Sequence, residues 1–223
     1  KSIEFQYVTI GLIILNIIAF GLATVAQQPG LVASFAVVPS ELLFVAGVAS
    51  SAGPAVGQTV SVPETGTLIS YMFFHADVFH IVGNMLFLWV FGDNVEDAMG
   101  HGRFLLFYLA CGVAAALLHT FMLPSSGIPL IGASGAVAGV IAAYLMLHPR
   151  VRVWVLVFQV LPMQITAAVA LGVWVLTQVV MVVIPQVGPV AWWAHIGGLI
   201  AGAVLIVSMK KPNVPLFDRG LST

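Results

Sequence analysis

An all-α membrane protein, a bundle of six transmembrane helices, is the fold class predicted here, and three observations carry it. The chain of 223 residues is 61% hydrophobic and 7% charged, with mean hydropathy +1.11, whereas a soluble domain carries about 25% charged residues. Polar surface is too scarce to cover such a molecule in water, so lipid must be the solvent. The apolar residues gather into six runs close to the roughly 20 residues that cross a bilayer as a helix. Threading those runs back and forth brings Lys1, Arg103, Arg150, Arg152, Lys210, Lys211 and Arg219 to one side.

The runs, in order, are 5–26, 72–92, 104–123, 133–148, 163–184 and 191–209. The first is long enough to span, which argues against a cleaved signal peptide. Segment 27–71 carries Glu41 and Glu64 but no Lys or Arg. It is punctuated by Pro and Gly, with an apolar stretch at Leu42, Leu43, Phe44 and Val45. It is expected to lie along the outer interface as short amphipathic pieces. The second run ends at Asp93, and the third follows Arg103 and contains the lone cysteine, Cys111, expected to act as a small core hydrophobe. The fourth is short but bracketed by Ser125-Ser126-Gly127 and His148-Pro149-Arg150. Residues 154–162 are apolar and end at Pro162, so they read as a connection or the frayed start of the fifth helix. The sixth stops at Lys210-Lys211.

Residues 1–211 therefore read as one six-helix domain and 212–223 as a tail. The loops 124–132 and 185–190 are uncharged, so the positive-inside rule puts both termini in the cytoplasm, with a bacterial inner membrane as the expected location. No basic patch suggests nucleic acid. No internal repeat suggests the inverted architecture of many transporters.

Orientation aligns four polar side chains in depth. Ser134 lies 16 residues before Arg150, His195 lies 15 before Lys210, and His80 lies 13 before Asp93, with Asn84 one turn deeper. At about 1.5 Å per residue these positions sit roughly 20–24 Å from the cytoplasmic edge of a core about 30 Å thick. Polar groups at that depth are costly and mark function.

Ser134 opens the fourth run within Gly132-Ala133-Ser134-Gly135. A helix N-terminus offers free N–H groups and a positive dipole end to a developing oxyanion. A serine hydroxyl needs a base, and His195 is the natural candidate. Gly135 and Gly139 on the fourth run, and Gly198 and Gly202 on the sixth, form small-xxx-small patterns that allow close backbone approach. His80 and Asn84, four apart on one face, both donate hydrogen bonds and suit an oxyanion hole beside the Ser134 backbone N–H. Plainer readings compete: Ser134 as a helix cap or packing residue, His195 bonded to a carbonyl, the glycines as ordinary packing. A metal or haem site from His75, His80 and His195 is a further rival. It is disfavoured because His75 and His80 point apart on a helix and no intramembrane carboxylate completes the set. Only Asp77, near the outer interface, is acidic near that depth, so the reading is a Ser–His dyad without a third carboxylate.

Together these residues resemble the rhomboid family of intramembrane serine proteases. Gly132-Ala133-Ser134-Gly135 looks like its nucleophile motif. Ala194-His195-Ile196-Gly197-Gly198 with Gly202 looks like its base motif, and His80 with Asn84 like its second-helix motif. Glu96 to Gly100 is similar to its cytoplasmic turn, and the likeness covers 70–205. The resemblance implies a six-helix rhomboid-like bundle, a Ser–His dyad, no cofactor or metal, and cleavage of transmembrane segments of other proteins entering laterally from lipid. It further implies that the fifth helix and the 185–191 loop act as gate and cap. In some members an aromatic four residues after the serine stacks on the base; here that position is Ala138, leaving Trp192, Trp193 or no residue for the task. The Trp-Arg pair some members carry in the first loop is absent between Gln27 and Tyr71. The alternatives are a catalytically silent binder of transmembrane helices, or a polytopic transporter or channel.

Overall fold

The computed structural model describes residues 3–49, 60, 62–157, 161–184 and 190–218. Within them the chain forms α1 (Tyr7–Ala26), α2 (Pro29–Phe35), α3 (Pro39–Val45), α4 (Glu64–Ser70), α5 (Val78–Met99), α6 (His101–Met122) and α7 (Ser134–Leu147). An antiparallel hairpin, β1 (Arg152–Val157) and β2 (Leu161–Thr166), precedes α8 (Ala167–Val183) and α9 (Trp192–Met209). Lys1, Arg219, most of the expected cap at 185–191 and the end of the tail lie outside the described residues.

Helices α1, α5, α6 and α9 are long and apolar enough to cross a bilayer, while α7 and α8 are apolar but shorter. Outward-facing side chains such as Ile17 and Leu22 on α1, Phe79 on α5, Leu106 on α6, Val173 on α8 and Val204 on α9 are exposed. Their apolar character fits an integral membrane protein whose outer surface meets lipid.

Two expectations are corrected. The second run does not form one helix from residue 72. Residues Tyr71–Phe73 make a 3-10 turn, and α5 begins only after Asp77, whose carboxylate accepts the His80 N–H at 2.9 Å. An Asp cap starts a helix at the residue that follows it. Nor does α5 stop at Gly92: it continues to Met99, because Glu96 and Asp97 find buried or terminal partners instead of lipid. Second, the described residues of 154–162 are neither a simple connection nor helix. Val153, Val155 and Val157 alternate with Trp154 and Leu156, and Trp154 pairs with Gln164 and Val155 with Met163 across the two strands.

The centre of the bundle is α7, most of whose residues are buried, with α9 packed against both α6 and α7. The α7–α9 crossing is made by backbone. A Cβ at Gly198 would overlap the Gly135 carbonyl, and one at Gly202 would overlap the Gly139 backbone. Cys111 on α6 is buried against the other side of Gly139.

At the end bearing the basic residues, the Glu96 side chain is wholly buried. It accepts from the Val8 N–H at 3.0 Å, the Thr9 N–H at 2.8 Å and the Thr9 hydroxyl at 2.6 Å, with His101 Nδ1 at 2.5 Å. One carboxylate thus satisfies backbone donors in the first turn of α1, which have no partner within their own helix. Gly100, at φ +86, makes the turn from α5 into α6 that a side chain would strain.

Candidate active site

The opposite end of the bundle holds the polar residues. His80 lies in the first turn of α5, Ser134 opens α7, and His195 lies in the first turn of α9. Three helices thus begin around one point, and the shared depth read from residue counting corresponds to helix starts. Ser134, His195, His80 and Asn84 line a single cavity of about 240 Å³, together with Phe79 and Trp174.

The segment carrying Ser134 is held from outside its own helix. Val37 and Leu130 exchange backbone hydrogen bonds of 3.1 and 2.8 Å, and the Ser40 N–H donates to the Ser126 carbonyl at 3.1 Å. The Gly132 N–H donates to the Tyr71 carbonyl at 2.9 Å, and the Ala133 N–H points at His75 Nε2 at 3.4 Å. His75 thus holds backbone beside the site. Its ring meets that of His80 edge-on with centroids 4.9 Å apart, which corrects the expectation that the two point apart. Residue 75 precedes the helix, so helical rotation does not separate them.

Gly132 is required twice. Its φ is +113, and a Cβ there would stand 2.6 Å from His80 Nε2. The Nε2–Cε1 edge of the His80 ring thus borders Gly132, two residues before Ser134. The Ala76 N–H faces His80 Nδ1 at 3.4 Å, which favours the tautomer with the proton on Nε2, a donor on the cavity side. Asn84 commits one amide N–H to the His80 carbonyl at 2.9 Å and keeps a second donor.

His195 is buried between two tryptophans: the ring centroid of Trp192 is 6.0 Å away and nearly perpendicular, and that of Trp174 is 5.9 Å away and tilted by 34°. Trp192 was one of the residues expected in place of an aromatic at 138; Trp174, from α8, was not foreseen. Ala138 itself is buried near the α7–α9 crossing, where a larger side chain would meet Gly198. A second contact was also missed: Gln178 of α8 places Oε1 2.7 Å from His195 Nδ1. Its one visible signal is an amide inside a helix whose other polar side chain is Thr177. Among the described residues no group of three or more His, Cys, Asp or Glu is placed to hold a metal ion.

A family model described as the rhomboid domain matches residues 63–212. The chain belongs to the rhomboid family. It is similar to "RHOMBOID-like protein 12, mitochondrial" of Arabidopsis thaliana, 28% identical over 161 residues, covering 65% of this chain and 46% of that protein. It is likewise similar to "Rhomboid protease GluP" of Bacillus subtilis, 29% identical over 164 residues, covering 71% of this chain and 29% of the relative. "Presenilin-associated rhomboid-like protein, mitochondrial" of Bos taurus is 30% identical over 139 residues, covering 58% of this chain and 34% of that rhomboid. The chain therefore spans less than half the length of each of these relatives. They include bacterial and mitochondrial proteins, so membership in the family does not itself assign a membrane.

Proposed function

We propose that this chain is an intramembrane serine endopeptidase that cleaves transmembrane segments of other membrane proteins. The observation that carries the reading is the convergence of Ser134, His195, His80 and Asn84 on one cavity at the start of three helices. In this account α7 and α8 cross the lipid with the four longer helices, giving six spans. The basic end faces the cytoplasm of a bacterial inner membrane, as the positive-inside rule suggests. A substrate helix enters from the lipid between α5 and α8, where Phe87 and Trp174 meet with centroids 6.3 Å apart. It unwinds locally, because a helical carbonyl is already engaged by its own backbone.

The Ser134 hydroxyl attacks the freed carbonyl carbon and passes its proton to His195 Nε2. The resulting oxyanion accepts hydrogen bonds from the Ser134 backbone N–H, His80 Nε2–H and the free Asn84 N–H. The imidazolium then protonates the leaving amine, and the peptide C–N bond breaks. Water, deprotonated by the same imidazole, hydrolyses the Ser134 ester and returns the serine.

The test uses the purified chain in detergent with a serine-directed fluorophosphonate and a transmembrane reporter substrate. Wild type should label and cleave; Ser134→Ala and His195→Ala should each lose nearly all cleavage while keeping the fold, since residues acting as a unit fail singly. Near-normal cleavage by Ser134→Ala would overturn the protease reading. Absence of both labelling and cleavage in wild type would favour a silent binder of transmembrane helices.

A further inference from the structure

Gln178 is buried in α8, on the face turned to α9, and makes two hydrogen bonds that determine each other's direction. Its Nε2 donates to the Trp174 carbonyl one turn earlier at 2.9 Å, and its Oε1 lies 2.7 Å from His195 Nδ1. A carbonyl can only accept, so the nitrogen end of the amide must face Trp174. That leaves the amide oxygen facing His195, and an amide oxygen also only accepts. The proton between them therefore belongs to Nδ1. A neutral imidazole carries one N–H, so Nε2 is left bare. Among the described residues Gln178 is the sole hydrogen-bond partner of the His195 ring.

We infer that Gln178 is a positioning residue that holds His195 in the Nδ1–H tautomer, with its basic Nε2 free for the Ser134 hydroxyl, and that it ties this state to the docking of α8. The inference rests on the protease reading. Aspartate performs the orienting task in serine triads of soluble enzymes; here a neutral amide does so without placing a charge in lipid, where a carboxylate is costly. The supporting element is peripheral. Helix α8 packs mainly on α9 and exposes Val173, Leu176 and Val183 on its other side. On its N-terminal side it follows directly from β2. Moving α8 away from α9 separates Oε1 from Nδ1, so the helix that admits substrate also controls the tautomer of the base. The base is fully prepared only when α8 is seated.

The experiment reads the tautomer directly, by 15N-histidine NMR of the full chain in micelles, with His195 assigned by its loss in His195→Ala. Gln178→Leu and Gln178→Met remove the acceptor; the methionine keeps the side chain's length should leucine impair folding. Gln178→Glu keeps an acceptor. The expected wild-type signal is Nδ1–H. In Gln178→Leu or Gln178→Met it should move towards Nε2–H, with kcat lower by about tenfold or more and KM little changed. Gln178→Glu should retain Nδ1–H and recover most of kcat. Unchanged tautomer and kcat in the leucine and methionine variants would overturn the proposal, as would a glutamate variant as impaired as they are. A tautomer that shifts as expected in a chain whose wild type neither cleaves nor labels would overturn the catalytic role and the protease reading, while the hydrogen-bond assignment stands.

Discussion

Replacing Gly198 by alanine adds one methyl group at the point where α7 and α9 meet. An ideal Cβ there overlaps the Gly135 carbonyl oxygen and stands 3.2 Å from the Ala138 Cβ. Neither neighbour is the flexible end of a long side chain, so the clash can be relieved only by moving helices. Restoring an ordinary carbon–oxygen contact requires the crossing to open by on the order of 1 Å. His195 lies three residues before Gly198, and Ser134 immediately precedes Gly135, so the displacement acts on the distance between base and nucleophile. A shift near 1 Å can cost about 10²-fold in rate, and overpacking a core costs about 1–3 kcal/mol in stability. Gly198→Ala is therefore expected to lower kcat/KM on a transmembrane reporter about 100-fold while the protein stays folded by circular dichroism. Gly172→Ala on α8 is the control: nothing lies within 4 Å of its Cβ position, so the same chemical change should leave activity near wild type. A Gly198→Ala protein as active as Gly172→Ala would show that the close crossing does not set the Ser134–His195 geometry.

The oxyanion donors should differ in weight. His80→Ala should lower kcat by about 10²–10³-fold, and Asn84→Ala by less, because one of its N–H groups is already engaged by His80; equal losses accompanied by chelator sensitivity would point to a metal instead. Glu96→Gln leaves one oxygen where two served four donor groups. It should cost about 1–3 kcal/mol in thermal unfolding, and an unchanged melting temperature would show that α1 is not anchored there. For orientation, cysteines placed at exposed Ser125 and exposed Gln164 in a Cys111→Ala background separate the two faces. The first should react with a membrane-impermeant thiol reagent in intact cells and the second only after permeabilisation; the reverse pattern would invert the topology and leave the site chemistry untouched.

Much of this architecture is legible because lipid forces a simple rule on the chain. The ends of α1, α7 and α9 fall within two residues of the apolar runs 5–26, 133–148 and 191–209, since polar or helix-stopping residues bound each run. Counting alone groups Ser134, His195 and His80 with Asn84 one turn deeper, and all four line the cavity. The rule breaks where polarity and helicity part company. Helix α5 carries Asp93, Glu96 and Asp97 beyond the apolar run, and the partners of Glu96 and Asp97 include residues 3–9, remote in sequence. The hairpin is invisible because apolar residues make up 61% of this chain, so Val153, Val155 and Ile165 do not stand out as strand residues. Gln178 and Trp174 belong to the site through packing of α8 on α9, and no local pattern announces a contact between helices.

The match to the rhomboid-domain model begins at residue 63, yet the segment presenting Ser134 is laced to Val37 and Ser40, well upstream of it. The portion that model matches thus takes backbone hydrogen bonds from outside itself. A chain pared back to the matched portion would leave the carbonyls of Leu130 and Ser126 without those partners, two and six residues before Gly132. The same reasoning bears on chimaeras. In an exchange of segments between relatives, the stretch around residues 36–40 and the stretch around 126–132 would have to travel together, as a single inherited part.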